Sequence, residues 1–179
     1  MRGNGKTDST GEAGGAPVRD NGGGGGRKGL SDRWLAFIVA AVVVALDQLS
    51  KAWALRALAE GDIVIIDGFL RLRLTSNTGA AFSLFQNSGP LIGIIAVGVV
   101  VLIFIVLGDA SRRVEAIALG MVLGGAVGNL VDRAFRGDGF LDGAVIDWIG
   151  WWWIPTFNVA DAAITSGVAL LLLATVIRR

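Results

Sequence analysis

The chain contains no Cys and no His, which removes thiol nucleophiles, disulfides, thiolate or imidazole metal sites and every triad built on an imidazole base. Hydrolytic chemistry would have to rest on carboxylates, amides, hydroxyls, Lys or Arg. Two short stretches offer such groups in apolar settings. In FNVADAAI, Phe157 to Ile164, Asn158 and Asp161 stand three positions apart at the head of a nearly uncharged run. In AVIDWIG, Asp147 lies fourteen positions before Asp161, and neither acid has a cation close by in sequence. Two carboxylates brought together at low dielectric cannot both ionise cheaply, so they share a proton, one serving as base and the other as acid. Such a pair can take a proton from water and give one to the carbonyl oxygen or departing nitrogen of an amide. Asn158 and Asn129 are suited to orienting a substrate backbone. Spacing alone does not separate Asp147 from Asp132, Asp138 or Asp142 as the partner of Asp161.

Further polar residues fall at helical spacing. Asn129, Asp132 and Arg133 sit at i, i+3 and i+4, and Asp47 and Lys51 at i and i+4, so each set shares a helix face. Asp132 lies 17 positions after Glu115, and Asp161 lies 17 before Arg178. A rise of 1.5 Å per residue therefore lifts each acid ~25 Å above its charged helix end, and Asp47, 14 positions after Arg33, ~21 Å. Three helices thus bring carboxylates to one level. Ionisable groups at membrane depth are functional candidates unless they are paired. The plain alternative is that Asp47 with Lys51, and Asp132 with Arg133, are ion-pair glue; it weighs evenly for those two pairs and less for Asp161, which has no cation within one turn on its own helix.

The elements that must position these groups follow from composition. With 53% hydrophobic residues and a mean hydropathy of +0.63, the chain falls in the membrane class. Four apolar segments are expected to span: Trp34 to about Leu58, Gly89 to Gly108, Glu115 to Asp132, and Asp161 to Arg178. The last two hold sixteen uncharged residues each, short for a core of ~30 Å unless their polar ends are partly buried. Arg27, Lys28 and Arg33, then Arg112 and Arg113, then Arg178 and Arg179 mark one side, which the positive-inside rule makes cytoplasmic, with both termini inside. Arg56, Arg71, Arg73, Arg133 and Arg136 oppose that bias. Trp34, Trp53, Trp148 and Trp151 to Trp153 suit interfacial belts.

Between the spans, Leu70, Leu72 and Leu74 alternate with Arg71 and Arg73, a period of two that predicts a strand with one face on lipid or protein and the other on water or headgroups. Asn77, Thr78 and Gly79 predict a turn after it. The connection from Phe135 to Phe157 yields no regular structure by pattern. Gly120, Gly124 and Gly128, four apart, predict a helix face that another backbone approaches closely. Residues 1–30, polar and Gly-rich, are read as a disordered cytoplasmic tail without a signal-peptide core, and residues 31–179 as the membrane domain. A net charge of +1 gives a nucleic-acid partner no electrostatic support.

Five ordered motifs give the chain a likeness: DQLSKAW (Asp47 to Trp53), NTGAAFSL (Asn77 to Leu84), GGAVGNLVDR (Gly124 to Arg133), VIDW (Val145 to Trp148) and FNVAD (Phe157 to Asp161). With them, residues 33 to 178 resemble the lipoprotein signal peptidases, the signal peptidase II family of bacterial inner-membrane aspartyl proteases. The resemblance implies an all-α membrane protein of four transmembrane helices with a small extracytoplasmic β-rich cradle. It implies removal of the signal peptide from diacylglyceryl-modified prolipoproteins, on the amino side of the lipidated Cys. It assigns the catalytic pair to Asp147 and Asp161, and substrate-binding or supporting roles to Asp47, Lys51, Asn77, Gly79, Asn129, Asp132, Arg133 and Asn158. No metal or other cofactor is expected; the expected partners are lipidated preproteins and membrane lipids, and the enzyme is expected to be monomeric.

Two other classes compete. A proton-coupled transporter would distribute acids along a path through the membrane and often repeat its halves; here the acids collect on one side, the second span is uncharged and no repeat is visible. A structural assembly protein using polar glue would lose stability, rather than a reaction, when Asp161 is changed.

Overall fold

Uncharged runs of about twenty residues become helices because a bilayer core of ~30 Å demands internally satisfied backbone at 1.5 Å rise per residue. In a computed structural model, which describes residues 25–79, 89–107 and 112–177, these are α1 (Gly25–Ala57), α2 (Gly89–Leu107), α3 (Arg113–Phe135) and α4 (Val159–Ile177). Each carries a stretch long and apolar enough to cross a membrane. The expected spans agree with these helices, except that α1 begins earlier, inside the segment read as a tail. Residues 1–24, Arg178 and Arg179, and the second half of the NTGAAFSL motif lie outside the described residues.

Large apolar side chains such as Ile38, Leu49, Ile94, Ile105, Leu172 and Ile177 are exposed along the helices. A bundle with its aliphatic residues turned outward is solvated by acyl chains. Its interior sets small residues such as Ala36, Ala40 and Ala116 among Ile103, Leu107, Leu119 and Leu123. Helix α3 is the hub, packing against α1, α2 and α4, and 56% of its most apolar stretch is buried, against 17% in α2 and α4. The glycine stripe is the reason. A Cβ on Gly120 would stand 2.5 Å from the Ala36 carbonyl of α1, and one on Gly124 would stand 2.7 Å from that of Ala40. The close approach predicted for this face is therefore made by α1, and Gly125 admits the Ala160 carbonyl of α4 on the adjoining face.

One end of the bundle carries a four-stranded antiparallel sheet in sequential order, β1 (Ile63–Ile66), β2 (Leu70–Asn77), β3 (Val145–Trp151) and β4 (Ile154–Phe157). The alternating Leu/Arg segment is β2, as its period indicated. Strands β3 and β4 occupy the connection to which no structure had been assigned. Val145, Ile146 and Asp147 are all buried, so β3 is covered on both faces where it begins and shows no alternation to detect. Pro155 argues against a strand in mid-sheet but is tolerated in β4, which is an edge.

Candidate active site

Helix α4 begins by solving the problem every helix start poses, its unpaired N–H groups. Asn158 is its N-cap: the Asp161 N–H donates to Asn158 Oδ1 at 2.9 Å, and the Asn158 N–H donates back to Asp161 Oδ2 at 3.3 Å. This is a reciprocal capping box with Asp in the third position. A further orphan donor, the Ala160 N–H, is taken by Asp47 Oδ1 from α1 at 3.0 Å. The amide and carboxylate at the mouth of this apolar run are thus first a helix start. They are more than that, because each has polar atoms left over.

Those atoms meet strand β3. Asn158 Nδ2 donates to Asp147 Oδ1 at 2.6 Å and also approaches Asn129 Oδ1 at 3.1 Å, while Asn129 Nδ2 donates to Asp161 Oδ1 at 2.8 Å. The other oxygen of Asp147 accepts from Asn77 Nδ2 at 3.1 Å. Asn77 is itself oriented by the turn predicted after β2, since its Oδ1 accepts the Gly79 N–H at 3.1 Å. The antiparallel register, Thr75 opposite Asp147 and Asn77 opposite Val145, brings these side chains together. Among the described residues, every direct hydrogen bond to Asp147 and Asp161 comes from an amide, of side chain or backbone, and none from a cation.

Both acids and Asn129 line a cavity of about 760 Å³ enclosed by the sheet and by α2, α3 and α4. Its membrane-side wall is apolar, with Ile92, Ala96, Val122 and Ile164. Asp147 is 2% exposed. Burial, and next the charge of Asp161, push its carboxyl up to about 6, against the opposing hydrogen bonds from Asn77 and Asn158. Arg133 lines the same cavity, donating Nη2 to the Gly79 carbonyl at 3.2 Å. Among the described residues its Nη1 is buried without a hydrogen-bond partner, a donor left for whatever enters.

The remaining candidate residues sit beside the cavity, not in it. Lys51, fully buried, pairs with Asp47 Oδ2 at 2.7 Å and Asp132 Oδ2 at 2.9 Å, and donates to Asn129 Oδ1 at 3.0 Å. Arg136 holds Asp132 Oδ1 at 2.8 Å, and the Ile146 N–H reaches Asp132 Oδ2 at 3.1 Å. The pairing expected between Asp132 and Arg133 is not formed: neighbouring residues on a helix point apart, and Asp132 turns to α1 while Arg133 turns to the cavity. Of the other acids, Asp142 accepts the Gly139 N–H within its own loop, and Asp138 is exposed. Sequence reasoning overlooked Gln48, whose Nε2 bridges Asp47, the Gly128 carbonyl and Asp132, and read Arg136 only as a topological charge. Their signals were adjacency to Asp47 and an i+4 spacing from Asp132.

A family model for signal peptidase (SPase) II matches residues 39–177. The chain is 43% identical over 148 residues to the lipoprotein signal peptidase of Rhodococcus jostii (strain RHA1), covering 81% of this chain and 74% of that protein. It is 44% identical over 149 residues to that of Mycobacterium avium (strain 104), covering 79% of each. Two solved structures, each described as a bacterial membrane enzyme studied by the in meso method, share the fold. Their TM-scores are 0.70 and 0.67 at 24% and 25% identity, over 79% and 78% of this chain and 87% and 91% of theirs.

Proposed function

The chain belongs to the signal peptidase II family, and we propose that it is an aspartyl endopeptidase whose catalytic pair is Asp147 and Asp161. It is a multi-pass membrane peptidase that removes signal peptides from prolipoproteins. In our reading the substrate is diacylglyceryl-modified, the cut falls on the amino side of the lipidated Cys, and the sheet end of the bundle faces outward from the cytoplasmic membrane of a bacterium, with both termini inside. The enzyme acts as a monomer.

One observation carries the reading: two acids on the wall of one cavity, Asp147 buried and Asp161 half-buried, are held by amides, which fix a carboxyl group without neutralising it. The pair starts with one proton. The ionised carboxylate removes a proton from water as its oxygen attacks the scissile carbonyl carbon, and the protonated carboxyl gives its proton to the carbonyl oxygen. The resulting tetrahedral diol collapses when its C–N bond breaks. The nitrogen takes the proton the first carboxylate gained, the diol hydroxyl returns its own to the second carboxylate, and the pair again holds one. Arg133 Nη1 and Asn129, both on the cavity wall, are the groups that would position a peptide backbone, while Asn158, fully buried, acts by holding Asp147. A lipid-anchored substrate cannot leave the bilayer, so chemistry at the polar end of the helices meets the bond while its acyl chains stay in place.

The test is cleavage of a diacylglyceryl-modified prolipoprotein by purified wild type, Asp147→Asn and Asp161→Asn, with thermal stability recorded for each. Loss of general acid–base action should lower the rate ~10²–10⁴-fold in either variant, with no loss of stability, since Asn keeps the shape and relieves a buried charge. Near-normal cleavage by Asp147→Asn would return the choice of partner to Asp132. Failure of the wild type to cut the lipidated precursor would end the peptidase assignment.

A further inference from the structure

We propose that the end of the sheet farthest from Asn77, which adjoins the active-site cavity through Arg73 and Ile154, binds the phosphate of an anionic phospholipid headgroup, with Arg71 as its cation and Trp152 as its interfacial wall. A second cavity, of about 220 Å³, lies there among Gly68, Phe69, Arg71, Arg73, Trp151 and Trp152, with Gly150 as part of its floor, and no carboxylate lines it. Arg71 forms no ion pair among the described residues. Its stem lies across the sheet at Gly150, where a Cβ would come within 3.1 Å of Arg71 Cγ. Arg73 spends Nε on Thr156 at 2.9 Å, which leaves its terminal nitrogens.

The surroundings select a lipid over a soluble anion. Trp152 sits in the turn between β3 and β4 with φ of 41°, a conformation a bulky side chain holds only under constraint. Its N–H donates to the Phe69 carbonyl at 2.7 Å, tying this turn to the one between β1 and β2. Phe69 contacts both Trp151 and Trp152, at centroid distances of 5.5 and 6.2 Å. Yet Trp152 and Trp153 are 68% and 71% exposed. All four residues of β1, Ile-Val-Ile-Ile, are exposed as well. An apolar edge strand would template aggregation in water, whereas aliphatic, indole and guanidinium groups together match a bilayer interface. Arg71 lies six residues from Asn77 on β2, ~20 Å at strand rise, so a phosphate on Arg71 stands well away from the dyad even though Arg73 and Ile154 border both cavities. A lipid held there anchors the strands that carry Asn77 and Asp147.

The full-length protein, purified in detergent, is offered phosphatidylglycerol or phosphatidylcholine, and retained lipid is counted by native mass spectrometry for wild type, Arg71→Gln and Trp152→Gly. Wild type should retain phosphatidylglycerol in preference, and Arg71→Gln should lose about fivefold of that retention, the worth of one arginine at an anionic surface, at an unchanged melting temperature. Trp152→Gly should melt higher, because glycine accepts positive φ, while binding less lipid; a purely structural role for Trp152 would move both the other way. The proposal is overturned if Arg71→Gln retains phosphatidylglycerol as wild type does, if Trp152→Gly melts lower, or if inorganic phosphate alone displaces the lipid completely, which would make this a free-phosphate site. Retention is read without substrate, so its outcome is independent of the peptidase reading.

Discussion

Two clusters of acids lie side by side in this molecule, one between α1 and α3 and one on the cavity wall, and they are wired differently. Asp47 and Asp132 share the Lys51 ammonium, and Asp132 also holds Arg136. Among the described residues, Asp147 and Asp161 receive only amide hydrogen bonds. Asn129 joins the clusters, accepting from Lys51 and donating to Asp161. A carboxylate neutralised by a cation is locked in its charged form. One held by amides keeps its geometry and remains able to exchange a proton, which is the property an acid–base pair needs. Residue type is the same in both clusters; the difference lies in the donors.

The hardest way to break this contrast is to remove the shared cation. Lys51→Met leaves Asp47 and Asp132 facing each other at full burial, and breaking a buried pair from one side costs ~3–5 kcal/mol. Chemical or thermal unfolding in detergent should show a loss of that size. Adding Asp47→Asn to Lys51→Met should cost less than the sum of the two single changes, because the second removes one of the stranded charges. Asp161→Asn, by contrast, should abolish cleavage without such a loss. Equal destabilisation by Lys51→Met and Asp161→Asn would erase the distinction between the clusters.

A smaller effect is expected from Gly128, the position in the glycine stripe that faces a charge instead of a backbone. A Cβ there would stand 2.7 Å from Asp47 Oδ2, so Gly128→Ala must push α1 or the carboxylate away. Overpacking of this kind costs roughly 1–3 kcal/mol. Because Asp47 also caps the Ala160 N–H, the shift should carry to the start of α4 and lower the cleavage rate along with stability. Gly98 on α2, with nothing within 4 Å of its Cβ position, is the control; Gly98→Ala should leave both unchanged.

How far these clusters could be read from sequence follows from the same physics. Helical rise and periodicity are fixed numbers, so the four spans, the common level of Asp47, Asp132 and Asp161, and the glycine face of α3 were all visible. Strand β3 was not, because burial on both faces at Val145 to Asp147 removes the alternation that marks a strand. Asp147 suffered the same limit. Spacing could not rank it against Asp132, Asp138 or Asp142; motif resemblance pointed to it, and the tertiary contacts show how the other acids are engaged. Lys51 claims Asp132 from α1, Arg136 claims it from one turn on at the end of the same helix, and Asp142 is consumed by its own loop. The Lys51 pairing depends on the crossing of α1 with α3, which no local pattern encodes. The capping box at Asn158 and Asp161 was written plainly in the sequence, but as a helix start it said nothing of Asp147 on the far side.

The mildest change sharpens the comparison most, because it acts on the proton itself. Asp147 is raised to about 6 from an ordinary value of 3.8, so its proton is present below that pH and lost above it. The sign is the same for folding and for rate. Stability tied to this group is complete below the unfolded value, near 3.8, and declines as pH rises through about 6. Over the same range the pair loses the proton it must donate, so kcat/KM should fall along an alkaline limb. Asn77 Nδ2 donates to the ionised form of Asp147 and therefore opposes the rise. Asn77→Ala should move the limb to higher pH while changing the maximal rate far less than loss of either acid, and it should move the alkaline decline in melting temperature the same way. A full pH profile of both quantities for wild type and Asn77→Ala checks this. Lys51→Met should shift the limb upward too, since the ammonium also lowers Asp147, but only at its large cost in stability. An amide that tunes the proton at little structural cost, beside a cation that holds the fold, would separate the two clusters by function and not merely by contact.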